Sequence, residues 1–417
     1  MKKKLKLLTL AVLLFVVTSY FIPSTQKDFF KHYNLKDEAS ISLKKFQARS
    51  VKSVKVNGQD WKYYVGGKGK KTILFLHGMG GAYDLWWQQI KYFENDYRVI
   101  SYSLPENVNS LEKAKKGILK ILEVEKIDTF YGVGTSMGGY ILQYLVQEVP
   151  NKVEKAVFGN TFPVNNIITT KNKKKSQIIP WLPEILISKL GEKQLNAKLV
   201  PAAKNSKLLA AFLPSLPFSK KQFINRYQVI INPFAIKNNY DIERIPKLII
   251  ESDNDPLVEK ILRKNLKKTY PKAKTYTFHN EGHFPYINAA SKYNNTLALF
   301  FNEENDFVEI EKTVNNYFEG RKTANIDLLK VSFSKNALLH TVKNNENFKI
   351  TLEDYLKKVR SDGIQKPKTT IIDGSIINNI ANFQTSFDYD KISYVDYLTL
   401  MKINGSWQII EKTFTKI

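Results

Sequence analysis

The sequence predicts an α/β unit built on a parallel sheet, followed by a smaller α+β unit. Short, continuous apolar runs alternate with helix-like stretches from residue 57 to about residue 301, the signature of strands covered on both faces. After the polar stretch Asn302-Glu303-Glu304-Asn305-Asp306, the pattern changes to one amphipathic helix and then strands that alternate apolar and polar residues. The 417 residues exceed the roughly 100 to 200 of an ordinary domain, and 43% apolar content is enough for two cores.

Residues 1–23 carry Lys2, Lys3, Lys4 and Lys6 and then an apolar run from Leu7 to Val17. This layout predicts a cleaved signal peptide or a retained N-terminal anchor, hence a protein exported to, or anchored in, the cell envelope on its extracytoplasmic side. The apolar run is shorter than the about 20 residues of a bilayer span. Asn57-Gly58 then joins a basic run to the aromatic run Trp61–Val65 as a hairpin. Strands are expected at 72–76, 99–102, 129–133, 156–158, 248–250 and 275–278, with helices at 111–125 and 140–149. Between about residues 163 and 240 the alternation stops. Seven prolines and thirteen Lys or Arg against only Glu184 and Glu192 mark a helical insertion, expected to cap the carboxyl edge of the sheet. The first unit is therefore placed at residues 24–303 and the second at 304–417. The latter opens on Phe307, Ile310, Val314, Tyr317 and Phe318 at helical spacing and closes on strands 393–400 and 407–410 around the Asn404-Gly405 turn.

Lys and Arg number 64 against 39 Asp and Glu, a net charge of +25. Scattered lysines with no base-stacking or groove-reading motif argue against a nucleic-acid partner; an anionic membrane surface fits better. The chain has no cysteine, which excludes disulfides, thiolate catalysis, lipidation on Cys and Cys-based zinc sites.

Gly134-Thr135-Ser136-Met137-Gly138 is a G-x-S-x-G placed directly after a predicted strand and before a predicted helix. Such a turn forces the serine into a strained conformation, lifts its hydroxyl clear of the backbone, and aims the free N–H groups of a helix at it. An earlier strand ends in His77-Gly78-Met79-Gly80-Gly81, where the backbone N–H of Met79, with that of Met137, is positioned to bind an oxyanion. His77 begins this turn and is expected to orient it. A serine needs a base, and the five histidines are His32, His77, His279, His283 and His340. His283, in the loop beyond the last strand of the first unit, is the candidate base, with His279 as the alternative. The acid that fixes the imidazole is sought after the preceding strand: Asp255 is preferred and Asp253 is the alternative. The order Ser136, Asp255, His283 is that of one triad fold among several.

Through His77-Gly78-Met79-Gly80, Gly134-Thr-Ser136-Met-Gly138-Gly139, Asp255-Pro-Leu-Val and Gly282-His283-Phe284-Pro285, residues 57–301 resemble the α/β-hydrolase superfamily. The resemblance implies a mostly parallel eight-stranded sheet, a cap above the site, no metal, no cofactor, and hydrolysis through an acyl-enzyme; the expected partner is a small-molecule or lipid-like ester. The apolar set Leu186, Leu190, Leu199, Leu208, Leu209, Phe212, Leu213 and Phe218 in the cap reads as packing, or as an acyl-binding wall. The last unit, through Val314–Gly320, Thr351–Tyr355, Tyr394–Leu400 and Lys402–Lys412, resembles the cone-shaped nuclear-transport-factor-2-like fold of the SnoaL and lumazine-binding type. That implies a curved sheet around a pocket and a homodimer partner. No acid-base pair stands out in it, so it reads as a binding or pairing module.

Overall fold

A computed structural model describes residues 17–22, 24–303 and 305–417. Most of the lysine-led N-terminal segment lies outside the described residues, and among those described no helix is long and apolar enough to cross a membrane. The chain separates into two compact units: one runs to Lys237 and resumes over Ile245–Asn302, the other comprises Asn238–Arg244 and Glu303–Ile417.

The first unit is organised by eight strands, β1 (Lys52–Val56), β2 (Gln59–Gly66), β3 (Thr72–Leu76), β4 (Arg98–Tyr102), β5 (Phe130–Thr135), β6 (Val153–Gly159), β7 (Lys247–Ser252) and β8 (Lys274–Phe278). Their order across the sheet is β1-β2-β4-β3-β5-β6-β7-β8. Only the pairings of β2 are antiparallel, β1 with β2 and β2 with β4; every later neighbour is parallel. Every residue of β3 and β5 is buried, which is why both read as continuous apolar or small-residue runs. The β1–β2 turn uses Asn57 and Gly58, both at positive φ (51° and 75°), as the dipeptide demands.

The fold begins before the hairpin at which the sequence pattern starts. Helices Phe29–His32 and Glu38–Gln47 bury Phe29, Leu43 and Phe46 in the main core, so this segment, His32 included, belongs to the first unit. The insertion is helical, with its longer helices at Ile167–Ile178, Glu184–Gln194 and Lys220–Ile231. Of its apolar set, Leu209 and Phe212 are fully buried, Phe212 packing on Trp87 at 4.7 Å between ring centroids, whereas Leu186 and Leu190 stay exposed.

The second unit is a six-stranded sheet in the order β10-β9-β14-β13-β12-β11, formed by β9 (Phe333–Lys343), β10 (Glu346–Thr351), β11 (Lys368–Ile377), β12 (Ile380–Tyr389), β13 (Ile392–Ile403) and β14 (Ser406–Lys416). Register shifts in three of its pairings bend the sheet. Helix Asp306–Thr323 lays Ile310, Val314, Tyr317 and Phe318 against Phe383, Phe387, Leu398 and Leu400. This is the curved-sheet, nuclear-transport-factor-2-like architecture expected.

Candidate active site

The carboxyl ends of β3, β5, β6, β7 and β8, neighbours in the sheet, carry Ser136, Asp255, His283 and the glycine-rich turn of the candidate site, the position where open parallel sheets place their ligands. Ser136 follows β5 with φ 53° and ψ −120°, a conformation that costs a non-glycine residue on the order of 1–3 kcal/mol. The turn tolerates no bulk. A Cβ on Gly138 would lie 2.1 Å from the Leu76 carbonyl oxygen, and one on Gly134 would lie 2.4 Å from that of Gly138. The Ser136 N–H donates to Gly159 O, and Thr161 Oγ1 donates to Ser136 O at 2.6 Å, so the strained residue is held from both sides.

His283 and Asp255 meet as expected. His283 Nδ1 lies 2.8 Å from Asp255 Oδ2, and both side chains are buried. Asp255 Oδ1 accepts from the backbone N–H groups of Leu257 and Val258, at 2.8 and 3.0 Å. Burial pushes the Asp255 carboxyl up, but His283, Asn160 and these amides outweigh it and hold it below the ordinary carboxylate value. A carboxylate at Nδ1 favours a proton on that nitrogen and leaves Nε2 as the ring position able to act as a base. Among the described residues no hydrogen bond joins Nε2 to Ser136 Oγ. The alternatives pair with each other instead: His279 Nδ1 lies 2.7 Å from Asp253 Oδ2, both exposed, in a surface contact separate from the buried His283–Asp255 pair. His340 falls in the second unit, on β9.

His77 plays the orienting part anticipated for it. Its Nδ1 donates to Gly78 O at 2.7 Å and its Nε2 accepts from the Leu104 N–H at 2.9 Å, which defines one neutral tautomer. Burial and the nearby Arg226 charge lower its pKa to about 3, so it stays neutral. A Cβ on Gly78 would stand 3.3 Å from Ser136 Cβ, so the loop after β3 adjoins the serine. Among the described residues neither Met79 nor Met137 gives its N–H to a backbone acceptor.

Two residues of the site had no sequence signal. Asn160, just after β6, is buried at φ 40° and donates to Asp255 Oδ2 at 2.9 Å and to Gly282 O at 3.3 Å, tying the acid loop to the base loop. Arg226, from the cap helix Lys220–Ile231, is 1% exposed, and among the described residues no carboxylate pairs with it. Its guanidinium donates to Met79 O (2.6 Å), Gly81 O (3.0 Å) and Leu104 O (3.0 Å), clamping the glycine-rich loop through its carbonyls. Burial lowers its pKa to about 9, so it remains charged at neutral pH. The cap also reaches the other loops: Asn254 Nδ2 donates to Ala202 O at 2.7 Å. Among the described residues no group of side chains could hold a metal ion. A surface cavity of about 1170 Å³, lined by Glu38, Lys71, Tyr92 and Asn294 among others, includes none of Ser136, Asp255 or His283. Its size is no guide to the chemistry.

A strained serine after a buried strand, a buried His–Asp pair two and three strands away, and a clamped glycine-rich turn define the class: an α/β protein of the hydrolase type. Residues 71–290 match the family described as alpha/beta hydrolase fold, and residues 305–415 match the one described as "Putative lumazine-binding". The first match spans more than half of the chain, and the chain belongs to the alpha/beta hydrolase fold family. It is 28% identical over 106 residues to the dihydrolipoyllysine-residue acetyltransferase component of the acetoin cleaving system of Cupriavidus necator, covering 24% of this chain and 28% of that protein. It is 26% identical over 100 residues to 3-oxoadipate enol-lactonase 2 of Acinetobacter baylyi, covering 22% of this chain and 38% of that protein. These alignments therefore span well under half of either relative. Among solved structures, a hydrolase from Pseudomonas aeruginosa superposes with a TM-score of 0.53 at 14% identity, over 61% of this chain and all of the other. The enol-lactonase from Burkholderia xenovorans superposes at 0.51 and 15% identity, over 60% of this chain and all of the other. Both show the shared fold, and family membership supports a hydrolase as the class of the chain.

Proposed function

We propose that the first unit is a serine hydrolase that transfers an acyl group from a carboxylic ester to water. The observation that carries this reading is the buried 2.8 Å His283–Asp255 pair on the strand ends neighbouring the strained Ser136. Ser136 Oγ attacks the ester carbonyl carbon as His283 Nε2 takes its proton; Asp255 holds the Nδ1–H tautomer and stabilises the imidazolium. The N–H groups of Met79 and Met137 bind the oxyanion, where one donor is typically worth about 3 kcal/mol in the transition state. The imidazolium protonates the departing alcohol, water deprotonated by the same base attacks the acyl-enzyme, and the acid leaves. In this reading the Ser136 side chain turns onto Nε2 when substrate is bound, since hydrogen bonds of this kind often tighten only in the complex.

The lysine-led N-terminal run and the net charge of +25 support an enzyme of the cell envelope working near an anionic surface on a lipid-like ester. Fractionation of cells, with the protein recovered only from the cytosol, would refute that placement. For the chemistry, Ser136→Ala is expected to lower kcat on p-nitrophenyl esters by about ten-thousand-fold and to end labelling by a fluorophosphonate. A chain whose Ser136 takes no label and turns over no ester of any acyl length is instead a non-catalytic binding or scaffold protein on a hydrolase fold.

A further inference from the structure

The cap insertion and the chain laid beside it leave large apolar side chains in solvent. Phe21 and Trp181 are 81% and 77% exposed, and Ile22, Ile178, Leu186 and Leu190 are exposed as well. Hydrogen bonds gather them. Tyr20 OH donates to Trp181 O, and Lys220 Nζ donates to Pro180 O and Leu182 O at 3.3 and 3.2 Å while lying 5.8 Å from the centroid of the Tyr20 ring. Ser24 Oγ donates to Glu184 Oε1 at 2.9 Å, so residues 20–24 are fixed along residues 180–184. Leu186 and Leu190, four residues apart, share a face of the helix Glu184–Gln194 that follows.

Charge around this patch has one sign. Between residues 163 and 240 the only carboxylates are Glu184 and Glu192, and the chain ahead of the insertion engages both. Glu184 accepts from the N–H and hydroxyl of Ser24 and from the N–H of Lys220, and Glu192 pairs with Lys27. Lys173, Lys174, Lys175, Lys189 and Lys193 are exposed, and among the described residues none has a carboxylate within ion-pair distance. In sequence, Lys2, Lys3, Lys4, Lys6 and the apolar run Leu7–Val17 lead directly into the same segment. Exposed aromatic and aliphatic groups among uncompensated lysines match a bilayer with anionic headgroups, which takes the apolar groups at its acyl boundary and pairs the ammonium groups.

We propose that this face of the cap, centred on Phe21 and Trp181 and flanked by Lys173–Lys175, docks the protein on a bilayer containing anionic lipid; the proposal rests on the reading of an envelope enzyme that works near such a surface. The same insertion holds the loops around Ser136 through Arg226 and Asn254, so docking brings the site to the lipid. The test uses the full chain, which has no cysteine of its own, with Phe21→Cys or Trp181→Cys carrying an environment-sensitive dye. Val124→Cys, at the exposed end of helix Leu111–Val124 just ahead of β5 and hence at the amino edge of the sheet, is the control. On phosphatidylcholine vesicles with about one-third phosphatidylglycerol, the dyes at 21 and 181 are expected to shift to the blue and be quenched by spin-labelled acyl chains, and the dye at 124 to stay unchanged. Replacing Lys173, Lys174 and Lys175 by Gln should raise the vesicle concentration for half the response at 181 at least about tenfold, as should phosphatidylcholine alone, with turnover of p-nitrophenyl esters in solution unchanged. A chain that floats with the vesicles while both dyes stay silent overturns the docking face, leaves the patch to a protein partner, and lets the membrane placement stand. No flotation overturns both. An equal response at 124, or one indifferent to the three lysines and to lipid charge, also overturns the proposal, whereas a dye response in a chain that turns over no ester upholds the docking face and refutes the hydrolase reading. Should Trp181→Cys not fold, the dye at 21 decides.

Discussion

The placement of Ser136, Asp255 and His283 at neighbouring strand ends was legible because each sits in a short motif at a predictable place after a strand, and because their order along the chain matches one topology. Asn160 and Arg226 were not. Asn160 acts on a carboxylate 95 residues away and Arg226 on a carbonyl 147 residues away, so nothing local distinguishes either from an ordinary loop amide or surface cation. Arg226→Met should lower kcat by about tenfold to a hundredfold with KM little changed, because it frees the loop that carries the Met79 N–H rather than removing a substrate contact. Arg226→Lys, which can keep one of the three bonds, should fall between; steady-state kinetics on p-nitrophenyl esters reads both. The Asp255 carboxyl is more acidic in the folded chain than in the unfolded one, so its contribution is complete above the unfolded value of about 4 and is lost as pH falls through the folded one. Urea midpoints should therefore drop from about pH 4 downward in the native chain, whereas Asp255→Asn, already weaker at neutral pH, should show a shallower fall.

At the scale of elements, the parallel strands announced themselves because burial on both faces leaves only apolar or small residues. β11 and β12 did not. β11 is mostly exposed, and the register shift between Ile371 and Asp373 breaks its alternation, so neither a continuous nor a period-two pattern survives. The two N-terminal helices were missed for a related reason: one is four residues long and neither has a strong apolar stripe. The elbow gives the sharpest test at this scale, because one substitution should have opposite signs in two helices. Gly138→Ala, whose Cβ would lie 2.1 Å from a backbone oxygen, should destabilise by about 1–3 kcal/mol or more. Gly191→Ala, exposed inside helix Glu184–Gln194 with nothing within 4 Å, should stabilise by about 1 kcal/mol. Denaturant midpoints of the two variants decide it.

For the whole molecule, two separate hydrophobic clusters predict two unfolding events rather than one. Scanning calorimetry should resolve two transitions. The division at the polar stretch 302–306 was legible, since composition shifts there. That residues 238–244 cluster with the later unit was not, because the cap insertion runs into them without a break in composition. In that later unit Tyr240 OH donates to Glu311 at 2.6 Å and Ile242 is buried. The polypeptide thus visits the later unit briefly before returning to form β7, the strand that delivers the acid. A gene shortened after codon 302 would strand an aromatic and an aliphatic side chain in water on the segment leading to Asp255. Any minimal version of the hydrolase would have to redesign that excursion, not merely stop early.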